Sequence, residues 1–240
     1  MFHQNVGPTY RLFSAFGIPV QASASAGILV AFVMLTFGRG GPDAMLGSIL
    51  IAASVLLSII AHELGHGLMV KRLGHRPREV ILHFIGGVLT WDASRATRKD
   101  RIKVALAGPA VSLLIGVLAF LIYLPFHETG GFGVYAVQAE QIPGIKMLKM
   151  TLSATIVLNL FWGVFNLLPI YPMDGGHALR SALGLKMSQF QAVRRSLQVS
   201  MGTAGAVALA AILLTGDIFI TILLAWMLYQ NWVEWNRLRL

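Results

Sequence analysis

The chain has 240 residues, of which 56 % are hydrophobic and only 12 % are charged, and its mean hydropathy is +0.70. Soluble domains carry about 25 % charged residues, so this chain has too few charges to cover a water-facing surface. The composition therefore excludes an ordinary soluble domain and indicates a polytopic membrane protein that lies in a lipid bilayer.

The formal net charge of +9 does not indicate a nucleic-acid partner. The basic residues cluster in a few loops between apolar segments, as the positive-inside rule requires, and no basic patch is interleaved with aromatic residues. The chain has no cysteine, which excludes disulfides and thiolate metal ligands. Any metal ion must be held by His, Asp or Glu.

Six apolar segments predict the membrane-spanning helices, since about 20 residues are needed to cross the hydrocarbon core. The last two are shorter and are separated by Gly216-Asp217, a turn signal that predicts a helical hairpin. The predicted spans are Ile18–Phe37, Ala44–Val70, Val104–Phe126, Met150–Leu168, Val199–Thr215 and Ile218–Val233. The predicted fold class is an all-α polytopic membrane protein with about six transmembrane helices.

The distribution of lysine and arginine predicts the orientation of the chain. If the N-terminus is cytoplasmic, 16 of the 19 basic residues fall in the predicted cytoplasmic segments, which are residues 1–17, 71–103, 169–198 and 234–240. This bias predicts a multi-pass protein of the cell membrane with both termini in the cytoplasm.

The N-terminal segment allows a second interpretation. Leu12–Val20 followed by QASASA is similar to a cleavable signal peptide. Gly17 and Pro19 interrupt that stretch and an apolar segment follows at once, which favours an uncleaved segment.

Glu79–Trp91 lies between two predicted spans and is too short to cross the membrane. It is rich in β-branched and aromatic residues and is interrupted by Gly86-Gly87, a pattern that predicts two short strands. We therefore expect a small membrane-associated β-hairpin or sheet near the site described next. No second soluble domain is indicated, so we predict one membrane domain over residues 1–240, with a core of 10–180 and a C-terminal hairpin of 199–233.

His62-Glu63-Leu64-Gly65-His66 is an H-E-x-x-H pattern inside the second predicted span. Helical residues four apart lie on one face, so both imidazoles can reach a single metal ion. Glu63 can hold the water that the ion polarises. The plainer interpretation is that these three residues are polar side chains inside a helix and that neighbouring groups satisfy their hydrogen bonds. Ionisable groups, however, cost about 2.5–3.5 kcal/mol each in a bilayer. Three within five positions therefore indicate a metal site.

A catalytic zinc site normally has a third protein ligand. Asp174 has a distinctive setting, because Pro169 and Pro172 prevent a regular helix and Gly175-Gly176 permit unusual dihedral angles. Irregular backbone at membrane depth is tolerated where it is buried or lines a cavity. The other candidates are His75, His83, Asp92, Asp100, His127, His177 and Asp217.

Two motifs together carry a family resemblance. HELGH in one span, and N-x-x-P-x-x-P-x-D-G-G in a later one, resemble the site-2 protease family of intramembrane zinc metalloproteases. The residues that match the second motif are Asn166, Pro169, Pro172, Asp174, Gly175 and Gly176. Gly86-Gly87 and Gly108-Pro109 are also similar to family features. The chain resembles a minimal form of the family, without its PDZ-like or nucleotide-binding regulatory domains.

The resemblance implies one zinc ion per chain, held by His62, His66 and Asp174. It implies that Glu63 is the catalytic carboxylate and that Asn166 binds the substrate carbonyl or its oxyanion. The implied function is hydrolysis of a peptide bond within or near the transmembrane segment of another membrane protein. The alternative function is a membrane metal transporter or an inactive scaffold that retains the site. The oligomeric state is not indicated.

Two groups of residues are candidates for substrate binding. Phe84, Ile85, Gly86 and Gly87 belong to the predicted strand pair, to whose edge an extended substrate could add as another strand. The alternative is that this segment only fills the gap between spans. Asn159 lies on the same helix face as Asn166 and is either a substrate contact or a polar contact between helices.

Overall fold

The computed structural model describes residues 8–38, 42–84, 86–126 and 143–238. Their strands form one four-stranded sheet with the order β1-β2-β3-β4. The strands are β1 (Thr9–Ala15), β2 (Ile18–Ser23), β3 (Pro77–His83) and β4 (Gly86–Trp91). Strands β1 and β2 are antiparallel, β2 and β3 are parallel, and β3 and β4 are antiparallel. The predicted strand pair around the two glycines is therefore present, as one half of a larger sheet.

Seven α-helices accompany the sheet in the described ranges. They are α1 (Ala26–Phe37), α2 (Pro42–Arg72), α3 (Arg98–Tyr123), α4 (Pro143–Asn166), α5 (Asp174–Leu183), α6 (Gln189–Ala210) and α7 (Ile218–Arg237). A short 3₁₀ turn, Leu124–Phe126, follows α3, and a π-helical turn, Ala211–Thr215, follows α6. The chain is thus mostly helical, as predicted.

Four helical segments in the described part are long and apolar enough to cross a membrane: Ala44–Arg72, Arg98–Phe126, Gly144–Asn166 and Gln189–Thr215. The prediction of a membrane-embedded helical fold is confirmed, but the count of six spans is not. Helix α6 also begins at Gln189, ten residues before the predicted start at Val199. Ser188 caps it with a capping box to Gln191, a signal that hydropathy does not register.

The predicted first span, Ile18–Phe37, is wrong. Residues 18–23 form strand β2, and helix α1 has only 12 residues, which is about 18 Å at 1.5 Å per residue against a hydrocarbon core of about 30 Å. Ile18 and Val20 are fully buried. Only the small residues Ala24 and Ser25 separate the strand from the helix, without a Gly or Pro to mark the boundary, so hydropathy alone does not divide the segment.

The described residues fall into two compact units. The first comprises residues 1–93 and 110–163, and the second comprises residues 94–109 and 164–240. In the first unit, one face of the sheet packs on α2: Ile18, Val20, Val80 and Leu82 form a buried cluster with Ile60 and Leu64. In the second, α6 packs against α7. The prediction of a single domain stays a prediction.

The turn predicted at Gly216-Asp217 is present in the second unit. Gly216 has a φ of 65°, in the left-handed region that favours glycine. Asp217 then caps α7 by accepting a hydrogen bond of 2.9 Å from the Ile220 amide. This turn separates α6 and its π-helical extension from α7.

Candidate metal centre

The residues of the H-E-x-x-H motif lie together on helix α2. His62, Glu63 and His66 are all buried, and their potential ligand atoms lie within 4.8 Å of one another. The Nε2 atoms of His62 and His66 are 3.2 Å apart. Two nitrogens that bind one zinc ion tetrahedrally, at about 2.0–2.1 Å each, are separated by about 3.3 Å. The separation of the two nitrogens is therefore the one expected for two ligands of a single zinc ion.

Ser112 of α3 orients the first of these imidazoles. Its Oγ lies 2.9 Å from His62 Nδ1, and its side chain is buried. If Nε2 binds a metal ion, Nδ1 carries the proton and donates a hydrogen bond to Ser112 Oγ. Such a partner selects the tautomer and fixes the ring plane. Sequence reasoning missed Ser112, because the contact joins residues 50 positions apart and has no local signal.

Strand β4 approaches the glutamate of the motif closely. A Cβ atom placed on Gly87 would lie 2.6 Å from Glu63 Cγ and 3.0 Å from Ile59 Cγ2. Real Cβ atoms do not come so close to other atoms, so only glycine allows the backbone to lie there. Gly86 needs glycine for a different reason, since its φ is 147°. Of the two glycines predicted to bind substrate, Gly87 is thus adjacent to Glu63.

The remaining residues of the predicted substrate segment differ in position. Phe84 is exposed, with 43 % of its surface accessible, whereas Ile85 lies outside the described residues. In the described part of the chain, β4 pairs with β3 alone and is an edge of the sheet. Burial lowers the pKa of His83 at the end of β3, which keeps this ring neutral at pH 7.

Asn159 of α4 makes a polar contact between helices. Its Nδ2 donates to Ser58 Oγ of α2 at 2.8 Å and to the Thr155 carbonyl at 2.9 Å. One turn away, Ser54 Oγ and Thr155 Oγ1 are 2.6 Å apart. The side-chain nitrogen of Asn159 therefore makes a polar contact between helices, which is one of the two roles predicted for this residue. Its Oδ1 atom is buried and has no hydrogen-bond partner among the described residues, and the role in substrate binding stays a prediction.

Asp174 and Asn166 flank one loop of the second unit. Asn166 is the last residue of α4, and Asp174 is the first residue of α5. Gly175 and Gly176 do not use the unusual dihedral angles that glycine permits, because both are helical. They are required for packing instead: a Cβ on Gly175 would collide with the Leu167 carbonyl oxygen, and one on Gly176 would lie 2.6 Å from the Ile170 carbonyl carbon. The helix that begins at Asp174 is thus pressed against its own preceding loop.

Several other ligand candidates have structural roles. Asp100 accepts a hydrogen bond from the Thr97 amide at the start of α3, and Asp217 caps α7. The ring of His75 contacts Trp91, and that of His177 contacts Tyr171. Among the described residues, the cluster of histidine and acidic side chains that could hold a metal ion consists of His62, Glu63 and His66. His127 lies outside the described residues. The assignment of Asp174 as the third ligand stays a prediction.

Comparisons with known proteins agree with these motifs. The profile described as Peptidase family M50 matches residues 50–211. The chain is 31 % identical to a zinc metalloprotease of Methanocaldococcus jannaschii over 219 residues, which are 88 % of this chain and 58 % of that protein. It is 29 % identical over 237 residues to a Synechocystis protein provisionally named a zinc metalloprotease, covering 92 % of this chain and 58 % of that protein.

A solved structure agrees with the fold. The site-2 protease from Methanocaldococcus jannaschii matches with a TM-score of 0.58 and 24 % identity over 95 % of each chain. The chain spans 58 % of the length of the two curated relatives. The family match covers both the HELGH motif and the segment that contains Asp174, so the resemblance seen in the sequence is confirmed. The chain belongs to Peptidase family M50, the family of the site-2 proteases.

Proposed function

We propose that this protein is a zinc metalloendopeptidase that cleaves membrane proteins within or near the bilayer. The observation that carries the proposal is the 3.2 Å separation of the two Nε2 atoms beside a buried glutamate. That geometry suits a tetrahedral ion, and Glu63, whose carboxylate oxygen lies within 4.8 Å of both imidazoles, is proposed as the proton acceptor. Relatives named as zinc metalloproteases support zinc as the ion.

The proposed zinc ligands are His62, His66 and Asp174, with one zinc ion per chain. Two nitrogens and one carboxylate oxygen form a common donor set of catalytic zinc sites, in which the fourth position stays open for water or substrate. Asp174 is proposed because it belongs to the second motif and begins a helix. A carboxylate at a helix N-terminus is also stabilised in its charged, ligating form by the helix dipole.

The chain's own residues would perform the proton transfers. Bound zinc supplies Lewis acidity, which polarises the scissile carbonyl and lowers the pKa of water. Glu63 takes a proton from the attacking water as the water oxygen bonds to the carbonyl carbon. Glu63 then delivers that proton to the leaving nitrogen as the C–N bond breaks. Asn166 donates a hydrogen bond to the developing oxyanion, an interaction whose removal costs about 10²–10³ in rate at comparable sites.

The proposed substrate is the transmembrane segment of another protein. A helical substrate hides its peptide bonds in its own hydrogen bonds, and once unwound in a low-dielectric site it needs new partners. Strand β4 offers them, because it is a sheet edge and Gly87 of this strand lies against Glu63. An extended substrate that pairs with β4 would therefore lie beside the proposed base. Phe84, Ile85, Gly86 and Asn159 remain the further candidates for substrate contacts.

We also propose a location and an orientation. The protein would be a multi-pass protein of the cell membrane with both termini in the cytoplasm, as the lysine and arginine bias predicts. If α2 meets the cytoplasmic interface near Lys71, His66 and His62 lie at depths of roughly 8 and 14 Å. The site would then lie below the membrane surface on the cytoplasmic side.

The Glu63→Gln variant tests the proposed function. It should bind zinc and retain membrane-protein substrates without cleaving them, so that substrates co-purify and can be identified by mass spectrometry. A metal transporter or an inactive scaffold should be largely unaffected by the same change, since only water activation needs the carboxylate. The proposal would be contradicted if the wild-type protein did not cleave the proteins that the Glu63→Gln variant traps.

A further inference from the structure

We propose that Ser200 of α6 and Asn231 of α7 are positioning residues of the metal centre. They hold the loop between Asn166 and Asp174, and through it the proposed third zinc ligand. The inference rests on the proposed function in one respect, namely that Asp174 binds the ion. It gives the last two helices a role in the proposed reaction, although α7 lies outside the family match at residues 50–211.

Both contacts are made to the backbone of Tyr171, three residues before Asp174. The Tyr171 amide donates to Ser200 Oγ at 2.7 Å, and the Tyr171 carbonyl accepts from Asn231 Nδ2 at 2.6 Å. Ser200 and Asn231 are both 0 % exposed. The backbone donor and acceptor of one residue are thus each satisfied by a buried side chain from a different helix.

The loop cannot satisfy these backbone groups with regular secondary structure. Pro169 and Pro172 flank Tyr171 and lack an amide hydrogen. Unpaired backbone groups at membrane depth are costly, so irregular backbone there needs partners from neighbouring helices. Polar side chains are also costly on membrane helices. The match of two such side chains to the two groups of Tyr171 indicates a specific function for both.

A second set of contacts anchors the helix that carries Asp174. Arg180 of α5 donates through Nε to Ser196 Oγ at 3.2 Å and pairs through Nη1 with Glu234 at 3.4 Å. Its guanidinium also lies 4.1 Å from the centre of the Tyr171 ring. The loop and the helix are therefore held by the same two elements, α6 and α7, on either side of Asp174.

The anchoring residues repeat at helical spacing. Ser196 and Ser200 are four residues apart on α6, and Asn231 and Glu234 are three apart on α7, so each pair occupies one helix face. Ser200 and Asn231 contact the loop. Ser196 and Glu234 contact Arg180. This arrangement defines the position of Asp174 from two directions, which is what a rigid metal ligand needs.

The test is zinc affinity, measured by chelator competition on the full-length protein in detergent. Ser200→Ala removes one anchor. Asn231→Asp keeps the side-chain shape but replaces the donors to the Tyr171 and Met227 carbonyls with an acceptor. Each variant should weaken zinc binding about 10–100-fold, as loss of a ligand's supporting contact usually does. Ser200→Thr, which keeps the hydroxyl, should restore affinity to within a few-fold of wild type.

Two controls isolate the positioning effect from a general loss of structure. Thr215→Val and Thr221→Val each remove a hydroxyl that donates to a carbonyl four residues earlier, in the π-helical turn after α6 and at the start of α7. Neither control should change zinc affinity. In an Asp174→Ala background, Ser200→Ala and Asn231→Asp should weaken zinc binding no further, because their effect passes through the missing carboxylate.

The outcomes separate the two proposals. If Asp174→Ala weakens zinc binding while Ser200→Ala and Asn231→Asp stay within twofold of wild type, the positioning role is wrong and the ligand assignment stands. If Asp174→Ala binds zinc like wild type, the ligand assignment itself fails. Additive losses in the Asp174→Ala background would also overturn the positioning role, since they would show an effect that does not pass through Asp174.

Discussion

Gly87 of strand β4 lies so close to Glu63 of helix α2 that a Cβ atom at this glycine would be 2.6 Å from the Glu63 Cγ atom. The strand edge proposed to bind substrate and the carboxylate proposed to transfer the proton are therefore in direct contact. A change in one must displace the other, because protein interiors are closely packed.

Gly87→Ala is expected to lower the cleavage rate about 10²-fold, since a shift of about 1 Å in a catalytic group can cost that much. The atoms nearest to the added methyl group belong to Glu63 and Ile59, which are not proposed zinc ligands, so zinc content should be unchanged. Cleavage assays and metal analysis on the same preparation check this. Gly27→Ala is the matched control, because a Cβ at Gly27 meets no atom within 4 Å. Wild-type activity in Gly87→Ala would contradict the close contact.

Ser112→Ala should weaken zinc binding about 10–100-fold, because the His62 ring loses the partner that orients it. Chelator competition measures the change. Ser48→Ala is the control: Ser48 is also buried, but its hydroxyl donates to the Met45 carbonyl within its own helix. If both variants bind zinc equally well, Ser112 does not support the ligand.

Strand addition at β4 predicts unequal effects of proline at neighbouring positions. The Asp92 amide donates to the Arg76 carbonyl on the β3 side. Because amide direction alternates along a strand, the Val88 amide also faces β3, whereas the Leu89 amide faces away from it. Leu89→Pro should abolish cleavage and preserve zinc content, whereas Val88→Pro should disrupt the pairing with β3.

The matched control for this pair is Leu89→Ala, which keeps the amide and removes most of the side chain. It should cleave faster than Leu89→Pro if the amide binds substrate. Equal losses at Leu89 and Val88, or loss of activity only together with unfolding in thermal melts, would favour the alternative that this segment only fills a gap.

The parts of the site that the sequence predicted are those whose signals are local. His62 and His66 are one helical turn apart, so their convergence follows from helix geometry alone. The strand pair around Gly86-Gly87 was also predictable, because its composition contrasts with that of the helices on either side. Gly175-Gly176 also stood out in the sequence, but the reason that the structure gives for them, close packing against Leu167 and Ile170, depends on neighbours that a sequence does not display.

The contacts that support the site could not be predicted in the same way. Ser112 meets His62 across 50 positions, and Asn231 meets Tyr171 across 60. Ser112 lies in an apolar stretch of α3, and Asn231 lies in the polar last third of α7; in neither case does the sequence identify the partner. Strand β2 was missed for a related reason: its pairing with β3 is non-local, and no Gly or Pro marks the boundary between β2 and α1.

The most direct test of the account compares zinc content and cleavage in wild type, Glu63→Gln and Asp174→Ala, using a membrane protein trapped by Glu63→Gln as substrate. Glu63→Gln should keep about one zinc ion per chain and lose about 10²–10⁴ in cleavage rate, the usual contribution of general acid–base catalysis. Asp174→Ala should lower both zinc occupancy and activity. Cleavage by Glu63→Gln at the wild-type rate, or full zinc occupancy in Asp174→Ala, would contradict the proposed mechanism.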